Sequence, residues 1–320
     1  MRTRDPLALV EPILAGDVRS GARLMRLLDD RSAGATEALK RLYPHTGRAF
    51  VLGLTGNPGS GKSTLVNQLV RHYRSEGLRV GVVAVDPSSP FSGGAILGDR
   101  IRMVDHFTDP GVFIRSLATR GALGGLSRST HDVVSVLDAM GYDAIIVETV
   151  GVGQDEIDIV RLADTCVVVV VPGLGDDIQA IKAGILEIAD IFVVNKADHD
   201  GADRVLRDLR QMQAMMSEMP PWFPPIVKAV AVRGEGIADV AEKIAEHRAF
   251  LTTDAGTRGR RRLRERHVLD QVLRDLAVRA IDGWLATDGR RDTYIDQIIA
   301  RETDPYSVGD EVLGALLRTP

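Results

Sequence analysis

The sequence predicts a doubly wound α/β fold with a mostly parallel sheet, preceded by a helical arm and followed by a helical extension. Three observations carry that expectation. Apolar runs of strand length recur through the middle of the chain, at 50–55, 80–85, 144–147, 166–171, 191–194 and 226–232, with 112–114 as a weaker candidate. Most are continuous in valine and isoleucine, the pattern of strands buried on both faces of a parallel sheet. Helical patterns separate them, and strand–helix alternation builds a βα domain.

Composition narrows the class. The chain has 320 residues, enough to bury a full core without disulfide staples. It is 44% hydrophobic and 26% charged, with a net charge of −4, which gives no footprint for nucleic acid or a membrane surface. The single cysteine, Cys166, lies inside an apolar run and is expected to act as a small buried hydrophobe. No apolar stretch approaches the ~18–20 residues of a membrane span. The start of the chain is basic but leads into an amphipathic pattern rather than a signal-peptide core, so a cytoplasmic protein is expected.

In chain order, residues 7–45 read as helices. Leu7, Leu9, Val10, Ile13 and Leu14 form one apolar group. Asp17 is a plausible N-cap for a second helix carrying Leu24, Leu27 and Leu28. A third helix near 36–42 stops at Tyr43-Pro44. Residues 1–47 are read as the arm, 48–250 as the α/β domain and 251–320 as the helical extension. In the extension, 252–259 reads as a polar connection. Beyond it, Leu269, Val272, Leu273, Leu276, Ala280, Ile281, Trp284 and Leu285 recur at spacings of three and four, describing one long amphipathic helix. That helix either covers its own core or forms a dimer surface. The six arginines between 258 and 266 read as a solvated helix start.

The chemistry centres on Gly56-Asn57-Pro58-Gly59-Ser60-Gly61-Lys62-Ser63-Thr64, which fits the phosphate-loop pattern of a glycine, four free residues, then Gly-Lys-Ser/Thr. The run 50–55 leads into it and a helical pattern follows. Strand, glycine loop and helix turn successive backbone N–H groups toward phosphate oxygens at the positive end of the helix. Lys62 is expected to reach the outer phosphates and Ser63 to ligate Mg²⁺. Asn195-Lys196-Ala197-Asp198 follows the run 191–194, so it sits where α/β domains bind ligands. An Asp there can accept from both the ring N–H and the exocyclic amino group of guanine. Adenine offers no such pair, so Asn195, Lys196 and Asp198 point to GTP.

Glu148 and Gly151 end the run 144–147; the carboxylate can hold Mg²⁺ through water and the Gly151 N–H can sense a terminal phosphate. Val152 stands where Ras-type GTPases place a water-positioning Gln, so unassisted hydrolysis is expected to be slow or to use a different base. Asp86 and Asp99 flank a Gly-, Pro- and Ser-rich stretch suited to closing over metal and phosphate. Lys182, in the loop after the valine run, and Arg233, Gly234 and Glu235, just past the run 226–232, complete the candidate nucleotide-binding set. The seven histidines show no metal-site spacing.

These residues resemble the MeaB/ArgK family, the methylmalonyl-CoA mutase-associated GTPases. The likeness rests on 56–64, 85–91, 93–102, 148–154, 173–182 and 195–198, and it covers most of the chain from 43 to 250. It implies a P-loop NTPase fold of the signal-recognition and metal-insertion GTPase branch. The activity implied is Mg²⁺-dependent GTP hydrolysis, in the role of a chaperone for an adenosylcobalamin-dependent acyl-CoA mutase, gating cofactor loading and protecting the mutase. On that pattern Lys62 and Ser63 hold phosphate and Mg²⁺, and Asp86, Asp99 and Glu148 form the metal and catalytic acid set. The loop with Asp176 and Lys182 is a third switch, and the C-terminal helices form a homodimer. Ser60 and Asp155 depart from many members, and Leu174, Asp177 and Ile178 depart from the best-known form. Two other functions fit the same core. One is a small-molecule kinase of amino-acid transport type, for which base selection by Asn195 and Asp198 gains nothing. The other is a nickel-insertion GTPase, disfavoured because no His- or Cys-rich segment exists.

Overall fold

A computed structural model describes residues 5–86, 106, 108–118, 128–149, 155–173, 188–215 and 220–318. Seven strands are described: β1 (Phe50–Thr55), β2 (Val80–Asp86), β3 (Val112–Ala118), β4 (Ala144–Thr149), β5 (Thr165–Val170), β6 (Ile191–Val194) and β7 (Ile226–Lys228). They form one sheet in the order β3-β2-β4-β1-β5-β6-β7, and every pairing is parallel. The α/β expectation is borne out. β1 lies at the centre, between β4 and β5, and the chain winds outward from it in both directions. That places the β1 loop at the switch point, where ligands of open α/β sheets bind.

Alternate residues of each strand feed two cores. Leu52, Leu54, Ile146, Val167 and Val193 pack on one face with α4 (Lys62–Ser75) and α8 (Ile237–Leu251). Val51, Val83, Val147, Val168 and Phe192 pack on the other with α5 (Arg128–Ala139), α6 (Asp155–Leu162) and α7 (Ala202–Ala214). Two-faced burial is what made the strands continuously apolar.

The N-terminal helices α1 (Val10–Leu14), α2 (Val18–Asp29) and α3 (Ala35–Leu42) join this second core through Ile13, Leu24, Met25 and Leu42. Asp17 caps α2 as expected, accepting the Ser20 N–H at 2.8 Å. The arm's exit is fixed by Asp138 of α5, whose carboxylate accepts the N–H groups of Gly47, Arg48 and Ala49 at 2.5, 3.2 and 3.0 Å. On the opposite side His247 of α8 is buried between Thr165 (Nδ1 to Oγ1, 2.7 Å), Asp190 (3.4 Å) and the Trp222 ring.

Three segments differ from the sequence reading. β3 runs on from 114 to Ala118, pairing residue by residue with β2; Arg115 and Ser116 hid it by interrupting the apolar run. The run 226–232 is a strand only to Lys228. Past that point the Ala231 N–H donates to the Asn195 side chain at 3.1 Å and Ala231–Arg233 closes a 3₁₀ turn, so the ladder ends. The polar stretch 252–259 is not a connection. Only Thr252 and Thr253 separate α8 from α9 (Asp254–Ala286), and their hydroxyls donate to the last carbonyls of α8. Polarity alone does not distinguish a loop from a helix, and Ala255, Arg258 and Arg260 are good helix formers.

The chain divides into two compact units, Met1–Arg264 and Glu265–Pro320. The second comprises the remainder of α9, then α10 (Arg290–Ile299) and α11 (Pro305–Arg318). Its helices are tied by Trp284 stacking near Tyr294, Arg290 over the Trp284 ring, and the Tyr294 hydroxyl donating to Glu311 at 2.9 Å. Leu269, Leu273 and Leu276, one stripe of α9, are each at least half exposed. Among the described residues, no helix is long and apolar enough to cross a membrane.

Candidate nucleotide-binding site

The carboxyl ends of β1, β4 and β6 bring three of the predicted motifs together. Residues 56–61 follow β1 as a tight loop, and α4 starts at Lys62. Two glycines in it are obligatory on steric grounds. Gly56 has φ 137° and a Cβ there runs into the Val169 carbonyl; Gly61 has φ 87° and a Cβ there meets the Asn195 amide. No other residue fits these backbones.

Lys62 is 6% exposed and donates to the carbonyls of Gly56 (2.6 Å) and Asn57 (3.0 Å), so its ammonium stands in the mouth of its own loop. Ser63 Oγ donates to Glu148 Oε1 at 2.6 Å, and both residues are buried. Behind them Thr149 donates to Thr55 at 3.0 Å, joining the tips of β4 and β1. A buried cation and a buried carboxylate flanking one glycine loop mark a candidate site for a charged ligand.

Asn195, 2% exposed, bridges the site. Its Nδ2 donates to the Ser60 carbonyl at 2.8 Å and its Oδ1 accepts the Ala231 N–H at 3.1 Å. Lys196 takes a left-handed backbone (φ 55°), a strain of about 1 kcal/mol for a residue with a Cβ, and its Nζ donates to the Gly59 carbonyl at 2.9 Å. Asp198, at 26% side-chain exposure, faces Arg233 Nη2 at 3.0 Å, and Arg233 Nη1 lies 3.9 Å from Glu235. One member of this assembly was not singled out in the sequence. Gln68, nearly two turns along α4, donates to the Ala231 carbonyl at 3.0 Å and ties the phosphate-loop helix to the 231–236 loop. Its only sequence signal is a polar residue at helical spacing beyond the loop.

The structure thus joins residues 56–64 to Glu148, Asn195, Lys196, Asp198, Arg233, Gly234 and Glu235. Asp86 is the last residue of β2, with its side chain outside the described residues. Asp99, Gly151 and Lys182 also lie outside them. No cluster of metal-ligating His, Cys, Asp or Glu occurs among the described residues.

A family model described as "Methylmalonyl Co-A mutase-associated GTPase MeaB" matches residues 22–283. The chain belongs to that family. A protein of Pyrococcus abyssi that carries the name of a GTPase is 47% identical over 97% of this chain and 96% of its own length. GTPase ArgK of Escherichia coli is 37% identical over 74% of each. The crystal structure of an LAO/AO transport system kinase superposes with a TM-score of 0.69 over 99% of both chains at 24% identity, which bears on fold alone. The phosphate loop therefore belongs to a P-loop GTPase, and the expected guanine-nucleotide chemistry and family are borne out.

Proposed function

We propose that this MeaB-family GTPase is a Mg²⁺-dependent switch that acts as a chaperone for an adenosylcobalamin-dependent acyl-CoA mutase. The carrying observation is the short Ser63–Glu148 contact beside Lys62. A serine hydroxyl and a carboxylate 2.6 Å apart at the end of a phosphate loop are the hard oxygen donors that Mg²⁺ prefers. Bound there, Mg²⁺ would neutralise charge developing on the phosphates. On this reading Ser63 and Glu148 hold the ion, with Asp86 and Asp99 as further acids, and Lys62 turns from its own carbonyls to the outer phosphates. Gly151 senses the terminal phosphate and Lys182 belongs to the loop that reports nucleotide state. Asn195, Lys196 and Asp198 hold guanine, with Arg233, Gly234 and Glu235 beside them.

The family's printed association with methylmalonyl-CoA mutase supports the partner. The absence of a Ras-type Gln after Gly151 fits a switch that waits for that partner. The exposed apolar stripe of α9 fits a homodimer interface, with 1–47 as arm, 48–250 as GTPase domain and 251–320 as dimerisation extension, in the cytoplasm. The test is phosphate release from GTP, with and without a purified adenosylcobalamin-dependent mutase, together with nucleotide-dependent co-purification of the two. Hydrolysis that rises with the mutase supports the reading. Phosphate transfer to an amino acid, with no response to the mutase, refutes it.

A further inference from the structure

We infer that Arg233 is a positioning residue for base recognition: it orients the Asp198 carboxylate toward the guanine edge without itself binding the base. The inference rests on the base-site reading above. Guanine presents a ring N–H and an exocyclic amino group side by side, and a carboxylate accepts both only when its plane faces that edge. The terminal torsion of an aspartate is broad and soft, so a carboxylate on a strand-end loop is not oriented by its own rotamer. Among the described residues, the side chain ion-paired with Asp198 is Arg233, with Nη2 3.0 Å from Oδ2. That leaves Oδ1 and the second lone pair of Oδ2 for two further donors.

The turn that carries Arg233 is itself held. Arg233 closes a tight turn, its N–H donating to Val230 O at 2.9 Å while the Val230 N–H donates to Glu235 O at 3.0 Å. The Ala231 N–H and carbonyl within the same turn are bound to Asn195 and Gln68. The arm carrying Arg233 is therefore fixed to the phosphate loop and its helix, through bonds between residues far apart in sequence. Glu235 Oε1 lies 3.9 Å from Nη1 at the other end of the guanidinium. Arg233 is 58% exposed on its side chain, so the ion pair adds little to stability. Its effect lies in geometry.

The experiment compares GTP with ITP, whose base lacks the exocyclic amino group, by calorimetric titration of the wild type, Arg233→Ala and Arg233→Lys. The wild type is expected to prefer GTP by about tenfold, the value of one hydrogen bond to a charged acceptor. Arg233→Ala is expected to shrink that preference by about three- to tenfold, chiefly by weakening GTP, and Arg233→Lys to restore most of it. A fall of equal size for GTP and ITP, leaving their ratio unchanged, marks a merely structural turn residue and overturns the inference, as does an unaltered Arg233→Ala protein. A wild type that binds GTP and ITP equally defeats the base-site reading itself, and the positioning role with it.

Discussion

Lys62 shows how one residue's surroundings define its task. A buried ammonium needs compensation, and here it is supplied by two carbonyls of its own loop, at 2.6 and 3.0 Å. Neutral carbonyls stabilise a cation less than phosphate oxygens do, because the phosphate adds a full opposite charge to an already charge-assisted hydrogen bond. Phosphate binding is therefore favoured by the exchange. Lys62→Ala is expected to weaken GTP binding by about 100-fold or more, roughly 3 kcal/mol, with an unchanged circular dichroism spectrum. Calorimetric titration checks it, and affinity within threefold of wild type contradicts the role. The phosphate loop was legible in sequence because its residues are consecutive. The Asn195 bridge was not, because Ser60 and Ala231 lie 135 and 36 residues away; spacing in sequence identified a base motif but not the carbonyl and amide it joins. Gln68 escaped for the same reason.

At the scale of elements, the end of α4 is stapled to the start of β3 by Arg74 and Asp109. Arg74 Nε and Nη2 donate to the two carboxylate oxygens at 2.8 and 2.9 Å, and Nη1 donates to the Leu78 carbonyl at 2.6 Å. The Arg74 hydrogen bond first, and the Gly111 N–H second, hold the Asp109 carboxyl below its ordinary value of 3.8. A depressed carboxylate contributes stability above its unfolded pKa and loses it as pH falls through the folded value. The contribution, about 1 kcal/mol or less for a pair a quarter exposed, should be intact at pH 6 and fade below about pH 4. Urea midpoints of wild type and Asp109→Asn should therefore differ at pH 6 and converge toward pH 3; a constant gap contradicts the assignment. The element boundaries repeat the residue-scale lesson. The apolar run 226–232 was legible as a strand, but its last residues are turned by Asn195, a partner on another strand end. The polar start of α9 misled because helix propensity and polarity are independent properties.

For the whole molecule, the arm and the α/β domain share one core, while Glu265–Pro320 forms a compact unit of its own. The sequence announced the apolar periodicity of α9, but periodicity cannot say what the stripe faces. In the structure Leu269, Leu273 and Leu276 are exposed by 57%, 54% and 51%. With about half of each side chain still to bury, moving one into an interface gains about 0.8–1.5 kcal/mol, and three per protomer supply six such burials across a two-fold contact. That gain, about 5–9 kcal/mol, exceeds the lower estimates of the association cost, about 4 kcal/mol. A second copy is the self-complementary occupant that a two-fold interface requires. Sedimentation equilibrium is expected to give twice the chain mass for the wild type, and a monomer for the triple variant Leu269→Glu, Leu273→Glu, Leu276→Glu. GTP affinity should be retained, because the nucleotide residues lie in the other unit. A wild-type monomer at micromolar concentration removes the homodimer from the proposed function. A triple variant that remains dimeric places the interface elsewhere on the chain.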